Sequence, residues 1–200
     1  MDFEVARALA GLGRLPEALA VVARHRDGPT ERRRGYLGQV VSVYGCALDF
    51  DGALRAAREN VELAPDDAAP RIDLAMQYAL HFHDAASARA ELERLGSGEL
   101  SQLAEGARRL VLGIVLAEEG SWLEAQASLD AAHGPIAKVA PTAGWLELAS
   151  AYRAWAKAGL GRPVDAAREL SKARPLLDAS DGGLITRYLD SRIEELSRRP

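Results

Sequence analysis

The chain contains little of what disulfide-rich, zinc, membrane or nucleic-acid proteins depend on. Its 200 residues include one cysteine, Cys46, which excludes an intramolecular disulfide and a zinc site with several cysteine ligands. No apolar run reaches the roughly 18 residues that a membrane-spanning helix needs. The net charge of −4 argues against a nucleic-acid partner, because phosphates need a concentrated basic surface. We therefore expect no membrane or nucleic-acid partner. The acidic start at Asp2 and Glu4, where a secretory signal would be basic, favours a cytoplasmic protein.

Residues that favour β-strands are also scarce. The chain has five isoleucines and three threonines, whereas it has 38 alanines. Alanine has the highest intrinsic helix propensity, and β-branched residues are the ones that pack best in strands. The composition therefore predicts an all-α fold.

An internal repeat organises most of the sequence. In five places a glycine or similar residue is followed five positions later by an alanine. These marker alanines are Ala18, Ala53, Ala88, Ala125 and Ala166, with spacings of 35, 35, 37 and 41 residues. Repeats of this length are typical of stacked helix pairs.

Each marker has the chemistry of a turn between two helices. Glycines such as Gly13 and Gly120 supply the left-handed conformation that ends a helix. Asp49 and Asp84 are positioned to accept hydrogen bonds from the first amides of the next helix. The marker alanine is small because two helices cross closely there. Each marker therefore predicts a helix–turn–helix hairpin.

The residues around the markers resemble the tetratricopeptide repeat family. The fourth copy matches its pattern best, with Leu112, Gly113, Leu116, Gly120, Trp122, Ala125, Leu129 and Ala132. The second copy ends at Pro65, close to the usual boundary between repeats. The resemblance implies a right-handed superhelical array of antiparallel helix pairs, an α-solenoid, in which the first helices line a concave peptide-binding face.

The markers divide the chain into predicted repeats at 1–29, 30–67, 68–98, 99–134 and 141–178. Helices are predicted at 2–12, 15–26, 31–47, 50–63, 70–82, 84–95, 100–118, 121–132, 142–159 and 162–177, with a linker over 133–141. A turn at 180–183 precedes a last helix over 184–198, whose apolar stripe includes Tyr188 and Leu189. We expect this helix to cap the array.

The repeat positions select the residues that would line the concave face. They are Gly38, Gln39, Ser42 and Gly45, then Asp73, Met76 and Leu80, then Leu110, Ile114, Ala117 and Glu118, then Leu146, Ser150 and Arg153. Among them, Met76, Leu110, Ile114 and Arg153 are the candidate peptide-binding residues. For Leu110 and Ile114, packing inside the array is an equal alternative. The charged set with which some family members clamp a terminal carboxylate is absent, so an apolar or helical segment is the expected ligand.

No catalytic, metal or cofactor site stands out in the sequence. His81 and His83 lie two residues apart and so face different ways on a helix, which argues against a metal pair. Cys46 is expected to be a buried structural thiol. Trp155 is expected to be partly exposed and is the aromatic residue to examine for ligand contact.

The leading hypothesis is a non-catalytic scaffold that binds a protein or peptide. A first alternative is a regulatory or targeting segment of a longer enzyme or transcription regulator. A second is a structural module that self-associates through its N-terminal end, since the first helix has no helix before it to cover its outer face.

Overall fold

The computed structural model describes residues 2–95, 99–139, 144–181 and 183–198. Within these ranges every regular element is a helix and none is a strand, which confirms the all-α prediction. The helices are α1 (Asp2–Gly11), α2 (Leu15–Ala23), α3 (Thr30–Cys46), α4 (Phe50–Leu63), α5 (Ala68–His81), α6 (Ala85–Glu93), α7 (Gln102–Glu118), α8 (Trp122–Val139), α9 (Trp145–Gly159), α10 (Pro163–Asp181) and α11 (Leu184–Ser197).

The helices pack in chain order. Each odd-numbered helix from α1 to α9 packs on the even-numbered helix that follows it, and each even-numbered helix from α2 to α8 packs on the next odd-numbered one. Contacts also join the first helices of successive pairs, namely α1 with α3, α5 with α7, and α7 with α9. Helix α11 packs on α9 and α10. Neighbouring helix pairs therefore hold one another in sequence.

The turns inside the five pairs share one backbone geometry. A left-handed residue occupies the same position in each, with φ of 76°, 57°, 50°, 78° and 75° at Gly13, Leu48, His83, Gly120 and Gly161. In four turns the next amide donates to the carbonyl five residues earlier, as from Ser121 to Leu116 at 2.9 Å. Such a bond satisfies a carbonyl that the helix end leaves free. In the third turn the amide of Asp84 reaches Tyr78, one residue further back, which accommodates the extra residue of that copy.

The marker residues also have the predicted packing and capping roles. All five marker alanines are completely buried. The Asp49 carboxylate accepts from the Gly52 amide at 2.8 Å, and Asp84 accepts from Ser87 at 2.9 Å. Each carboxylate satisfies a donor that the start of a helix leaves unpaired.

The apolar interior consists of two clusters that meet at α5. Leu74 packs in the first cluster, which runs from α1 to α5, whereas Ile72 and Met76 pack in the second, which runs from α5 to α11. Tyr78 contacts both clusters. Helix α5 is therefore the element through which the two halves of the described chain are joined.

Two helices are longer than predicted. Helix α8 continues over 133–139 as far as Val139, where the sequence indicated a linker, and Pro135 lies inside it. Proline removes one helical hydrogen bond. The adjacent Ile136 is completely buried, and it packs so closely on α7 that a Cβ atom added at Gly106 would lie 2.9 Å from its side chain. That burial offsets the lost bond and holds the extra turns against α7. Helix α10 likewise runs past 177 to Asp181, so it enters the predicted turn. Residues 140–143, which belong to the end of the predicted linker and the start of the predicted helix over 142–159, lie outside the described residues. The same holds for residue 182 of the predicted turn.

Among the described helices, none combines the length and apolar character that crossing a lipid bilayer requires.

Candidate functional site

Three of the four candidate peptide-binding residues lie in the core. Leu110 and Ile114 expose none of their surface and Met76 exposes 8%, so their predicted exposure on a concave face is wrong. The reason is that α7 contacts α5, α6, α8 and α9, which leaves its apolar side chains covered from several sides. The alternative that Leu110 and Ile114 pack inside the array is the one the structure supports.

Trp155 is also buried, contrary to expectation. Its side chain exposes 1% of its surface and makes edge contacts with Trp122 and Tyr188, whose ring centroids lie 5.6 and 6.0 Å away. The sequence placed Trp155 on α9 correctly but did not indicate that Tyr188 and Arg192 of α11 pack against its ring.

Arg153 lies in an open cleft between α8, α9 and α10, with a volume of about 540 Å³. The cleft is lined by His133 of α8, by Leu146, Glu147, Ser150, Arg153 and Lys157 of α9, and by Asp165, Arg168, Glu169, Lys172 and Ala173 of α10. The repeat pattern predicted a shared surface for Leu146, Ser150 and Arg153, and all three line this cleft. The sequence did not predict that α10 supplies the opposite wall.

The floor of the cleft is a network of ion pairs. The Glu169 carboxylate pairs with both Arg153 and Lys157, and Arg153 also donates to Asp130 of α8 at 2.8 Å. Burial alone would lower the pKa of Arg153, but its hydrogen bonds to Asp130 and Glu169 outweigh burial and raise that pKa. The network therefore fixes two cationic side chains in place across three helices.

Two further cations stand at the edge of the cleft. Arg168 and Lys172 lie one turn apart on α10, and both are exposed. Neither has an ion pair within the part of the chain that the structure describes. Glu169, which lies between them on α10, is paired with Arg153 and Lys157, and Asp165, one turn before Arg168, is paired with Arg162 at 2.7 Å. Arg168 and Lys172 are therefore the cleft cations that are open to an anionic group from outside.

A second constellation forms where α11 crosses the ends of other helices. The Tyr188 hydroxyl donates to the Glu118 carboxylate, whose two oxygens lie 2.7 and 2.9 Å away. The His83 ring stacks on Tyr188 at a centroid distance of 3.7 Å, and its Nδ1 lies 3.4 Å from Glu118 Oε1. Burial and the adjacent Glu118 carboxylate raise the pKa of Tyr188, so its hydroxyl remains a donor. One turn later, the Arg192 guanidinium lies 5.2 Å above the Trp155 ring.

Sequence reasoning missed this constellation. The predicted helices 70–82 and 84–95 leave His83 in the turn between them, and Tyr188 belongs to the predicted apolar stripe of the last helix; the structure has both residues in these places. Nothing local indicates that the two rings stack, because they come from elements that are distant in the sequence. The one available signal was the polar hydroxyl in an otherwise apolar stripe, since a half-buried tyrosine needs a hydrogen-bond partner.

Helix α5 carries two partly desolvated polar groups. Asp73 is partly buried, and burial raises the pKa of its carboxyl to about 6. One turn further on, the Gln77 Oε1 atom is buried and accepts no hydrogen bond within the described residues. Asp73 was among the residues predicted to face a ligand, but it does not line the cleft that contains Arg153.

The other residues considered in the sequence have structural surroundings. Cys46 is half-buried at the end of α3, so the expectation of a buried thiol is wrong. His81 stacks on Phe50 at 4.1 Å. No group of three or more potential metal ligands occurs among the residues described. At the N-terminal end, Val5 and Leu12 of the first hairpin expose 47% and 73% of their surface, and self-association there remains a prediction.

Comparisons with known proteins add no relative. No protein-family model, curated protein or solved structure matches the chain. The resemblance to tetratricopeptide repeats therefore stays a prediction that rests on the residues of the repeat.

Proposed function

We propose that this chain is a non-catalytic scaffold that binds a protein or peptide partner. In this proposal the helix pairs form a right-handed superhelical array like that of tetratricopeptide repeats. Tandem helix pairs produce long surfaces with clefts between neighbouring helices, and such surfaces suit an extended partner.

The observation that carries the proposal is the open cleft between α8, α9 and α10. Its walls come from three consecutive helices, so the spacing of the walls is set by the packing of the array. Leu146 and Ser150 offer apolar and hydroxyl contacts, and Arg153 lies deeper between Asp130 and Glu169. A partner segment in the cleft would meet a surface that is already ordered, which lowers the entropic cost of binding.

The charges of the cleft favour acidic side chains on the partner. Glu169 and Asp130 neutralise Arg153 and Lys157, and Asp165 pairs with Arg162, so Arg168 and Lys172 leave the cleft lining net cationic against the single remaining carboxylate of Glu147. Carboxylates placed against these two cations gain charge-assisted hydrogen bonds. Opposite charges across an interface also speed association and exclude partners of like charge.

A displayed library of random peptides, selected on the full chain, tests the proposal. Three baits are used in parallel: the wild type, the double variant Arg168→Glu with Lys172→Glu, and a control with Arg32→Glu and Arg33→Glu on α3. The control changes the net charge by the same amount at exposed residues outside the cleft. We expect acidic peptides to be selected by the wild type and the control, and to bind the cleft variant at least about tenfold more weakly in fluorescence anisotropy.

Two results would contradict the proposal. One is selection of no peptide by the wild-type chain. The other is equal binding of the selected peptides to all three baits, which would move the binding surface away from this cleft. Circular dichroism and thermal unfolding of each bait establish that the substitutions leave the fold intact.

A further inference from the structure

We propose that a pocket beside the first turn of α11 binds a small planar aromatic molecule that carries one N–H or O–H donor, such as an indole or a phenol. The walls of this aromatic pocket come from α4, from α5 and the turn that follows it, and from α11. It shares no lining residue with the charged cleft between α8, α9 and α10, so the inference does not depend on what binds there.

Four aromatic rings line the pocket, and they form two stacked pairs. Phe50 stacks on His81 with ring centroids 4.1 Å apart and ring planes 9° apart. His83 stacks on Tyr188 with centroids 3.7 Å apart and planes 13° apart. Both pairs belong to the pocket lining. A planar ring that enters the pocket can therefore contact aromatic surface on both pairs, and such contacts add to the gain from simple burial.

The remaining lining residues are apolar, and none of the lining residues is acidic, a lysine or an arginine. They are Leu80 of α5 and Leu184 and Ile185 of α11. The charged cleft, by contrast, is lined by several acidic and basic side chains. An ion that entered the aromatic pocket would lose its hydration without gaining a lysine, arginine or carboxylate partner, so this lining favours an uncharged ligand.

The apolar surface of the pocket is open to solvent. Leu184 exposes 38% of its surface, and Phe50, Leu80 and Ile185 are half-buried. A ligand that covers this surface gains free energy from the apolar area it removes from water. The volume of about 190 Å³ is smaller than the roughly 300–1,000 Å³ of pockets for drug-sized ligands, so a molecule of one or two rings fits.

His83 supplies the polar contact for the ligand. Its Nδ1 atom lies 3.4 Å from Glu118 Oε1, and a neighbouring carboxylate favours the tautomer with the proton on Nδ1. In that tautomer the Nε2 atom is a hydrogen-bond acceptor. The His83 side chain is 36% exposed, and among the described residues no group donates to Nε2. A donor on the ligand can therefore bond to His83 while its rings contact the apolar lining.

Helix α11 is a fixed wall of the pocket. Its residues Thr186 and Leu189 are buried, and the Thr186 hydroxyl donates to Asp178 of α10. Arg174 of α10 also pairs with Asp190 at 2.7 Å. These contacts hold α11 in place without a ligand. The pocket is therefore preformed, which lowers the entropic cost of binding.

The polar groups of the lining favour a free molecule over an aromatic side chain of a bound peptide. A peptide would bring its backbone amides and carbonyls to the pocket rim, where each of them needs a hydrogen-bond partner. The lining offers only three polar side chains, His81, His83 and Tyr188, and the Tyr188 hydroxyl already donates to Glu118. A free aromatic molecule needs only one of these groups.

Titration of indole into the full chain, followed by isothermal titration calorimetry, tests the proposal. The wild type is compared with Leu184→Trp and with the control Leu176→Trp. Both leucines are exposed, at 38% and 58%, but Leu176 lies on α10 and does not line the pocket. Because tryptophan at position 184 fills the pocket with its own rings, we expect indole to bind that variant at least about tenfold more weakly. The control should bind indole as the wild type does.

Related probes test the chemistry of the site. Benzofuran has the size and planarity of indole but lacks the N–H donor, so it should bind the wild type at least about fivefold more weakly. His83→Asn, which suits the left-handed backbone at this position (φ of 50°), removes the ring acceptor and should abolish that difference. Indole-3-acetate, which is charged, and N-acetyltryptophanamide, which carries two peptide groups, should both bind more weakly than indole. Circular dichroism establishes that each variant is folded.

Four results would overturn the proposal. The first is a wild-type chain that does not bind indole. The second is equal binding of indole by the wild type and the folded Leu184→Trp variant, which would move the site elsewhere. The third is equal binding of benzofuran and indole by the wild type, which would remove the role of His83. The fourth is tighter binding of N-acetyltryptophanamide than of indole, which would make the ligand a side chain of a peptide.

Discussion

The Tyr188 hydroxyl lies 2.7 Å from Oε1 and 2.9 Å from Oε2 of Glu118, a residue 70 positions earlier in the chain. This contact ties α11 to the end of α7, although the three helices α8, α9 and α10 lie between them in the sequence. Glu118 is nearly buried, so the hydroxyl also satisfies a carboxylate that has little access to water.

Replacement of Tyr188 by phenylalanine should therefore destabilise the fold. Tyr188→Phe keeps the ring that stacks on His83 but removes the donor to Glu118. We expect the free energy of unfolding to fall by about 1–3 kcal/mol, because a buried acceptor loses a hydrogen bond. Urea unfolding followed by circular dichroism measures the change. Tyr36→Phe is the matched control, since the Tyr36 hydroxyl has no hydrogen bond among the residues described. Equal losses in the two variants would remove the special role of the Tyr188 hydroxyl.

Two glycine-to-alanine substitutions should change stability in opposite directions. Gly161 lies just after the end of α9 with φ of 75°, whereas Gly38 lies inside α3. At both positions a Cβ atom would have no neighbouring side chain within 4 Å. Gly161→Ala should cost about 1 kcal/mol, because an L side chain is strained in the left-handed region. Gly38→Ala should add about 0.4–1 kcal/mol by restricting the unfolded chain. Thermal unfolding of both variants checks the signs, and a gain in stability from Gly161→Ala would contradict the proposed role of this turn.

The carboxyl of Asp73 should make stability depend on pH. Burial raises its pKa from the ordinary value of 3.8 to about 6, so the folded chain holds this proton more tightly than the unfolded chain does. Its contribution to stability is fully present below pH 3.8 and is lost as the pH rises through 6. We expect Asp73→Asn to be more stable than the wild type by about 1–3 kcal/mol at neutral and higher pH, and the difference to shrink toward acid pH.

The measurement is a series of urea unfolding curves between acid and slightly alkaline pH. Asp27→Asn is the control, because Asp27 is exposed in the loop between α2 and α3. A constant difference between Asp73→Asn and the wild type across the series would show that burial of the Asp73 carboxylate does not govern its titration.

Much of the fold could be predicted because its signals are local. The left-handed turn residues, the capping aspartates and the small alanines act within a few positions of where they stand. A turn that ends one helix and starts the next needs the same chemistry in every copy, so the repeat is visible in the residues themselves. The boundaries of α8 were wrong because Pro135 indicates a helix end locally, whereas the burial of Ile136 against α7 is a tertiary effect.

The candidate site was predicted less well, for a physical reason. Helical periodicity groups Leu146, Ser150 and Arg153 on one side of α9, but it does not state which helix lies opposite. The same pattern placed Leu110 and Ile114 on a side of α7 that other helices cover completely.

The sequence by itself determined the all-helical fold, the positions of the turns inside the five helix pairs and the pairing of neighbouring helices. It did so because these depend on backbone conformation and on contacts between residues close in the chain. Only the tertiary structure decided that α11 lies against Glu118 and Trp155, that α10 faces Arg153, and that Met76 is buried. Those contacts form between apolar and charged surfaces that are distant in the sequence. A local sequence pattern does not specify which of these surfaces will pack together.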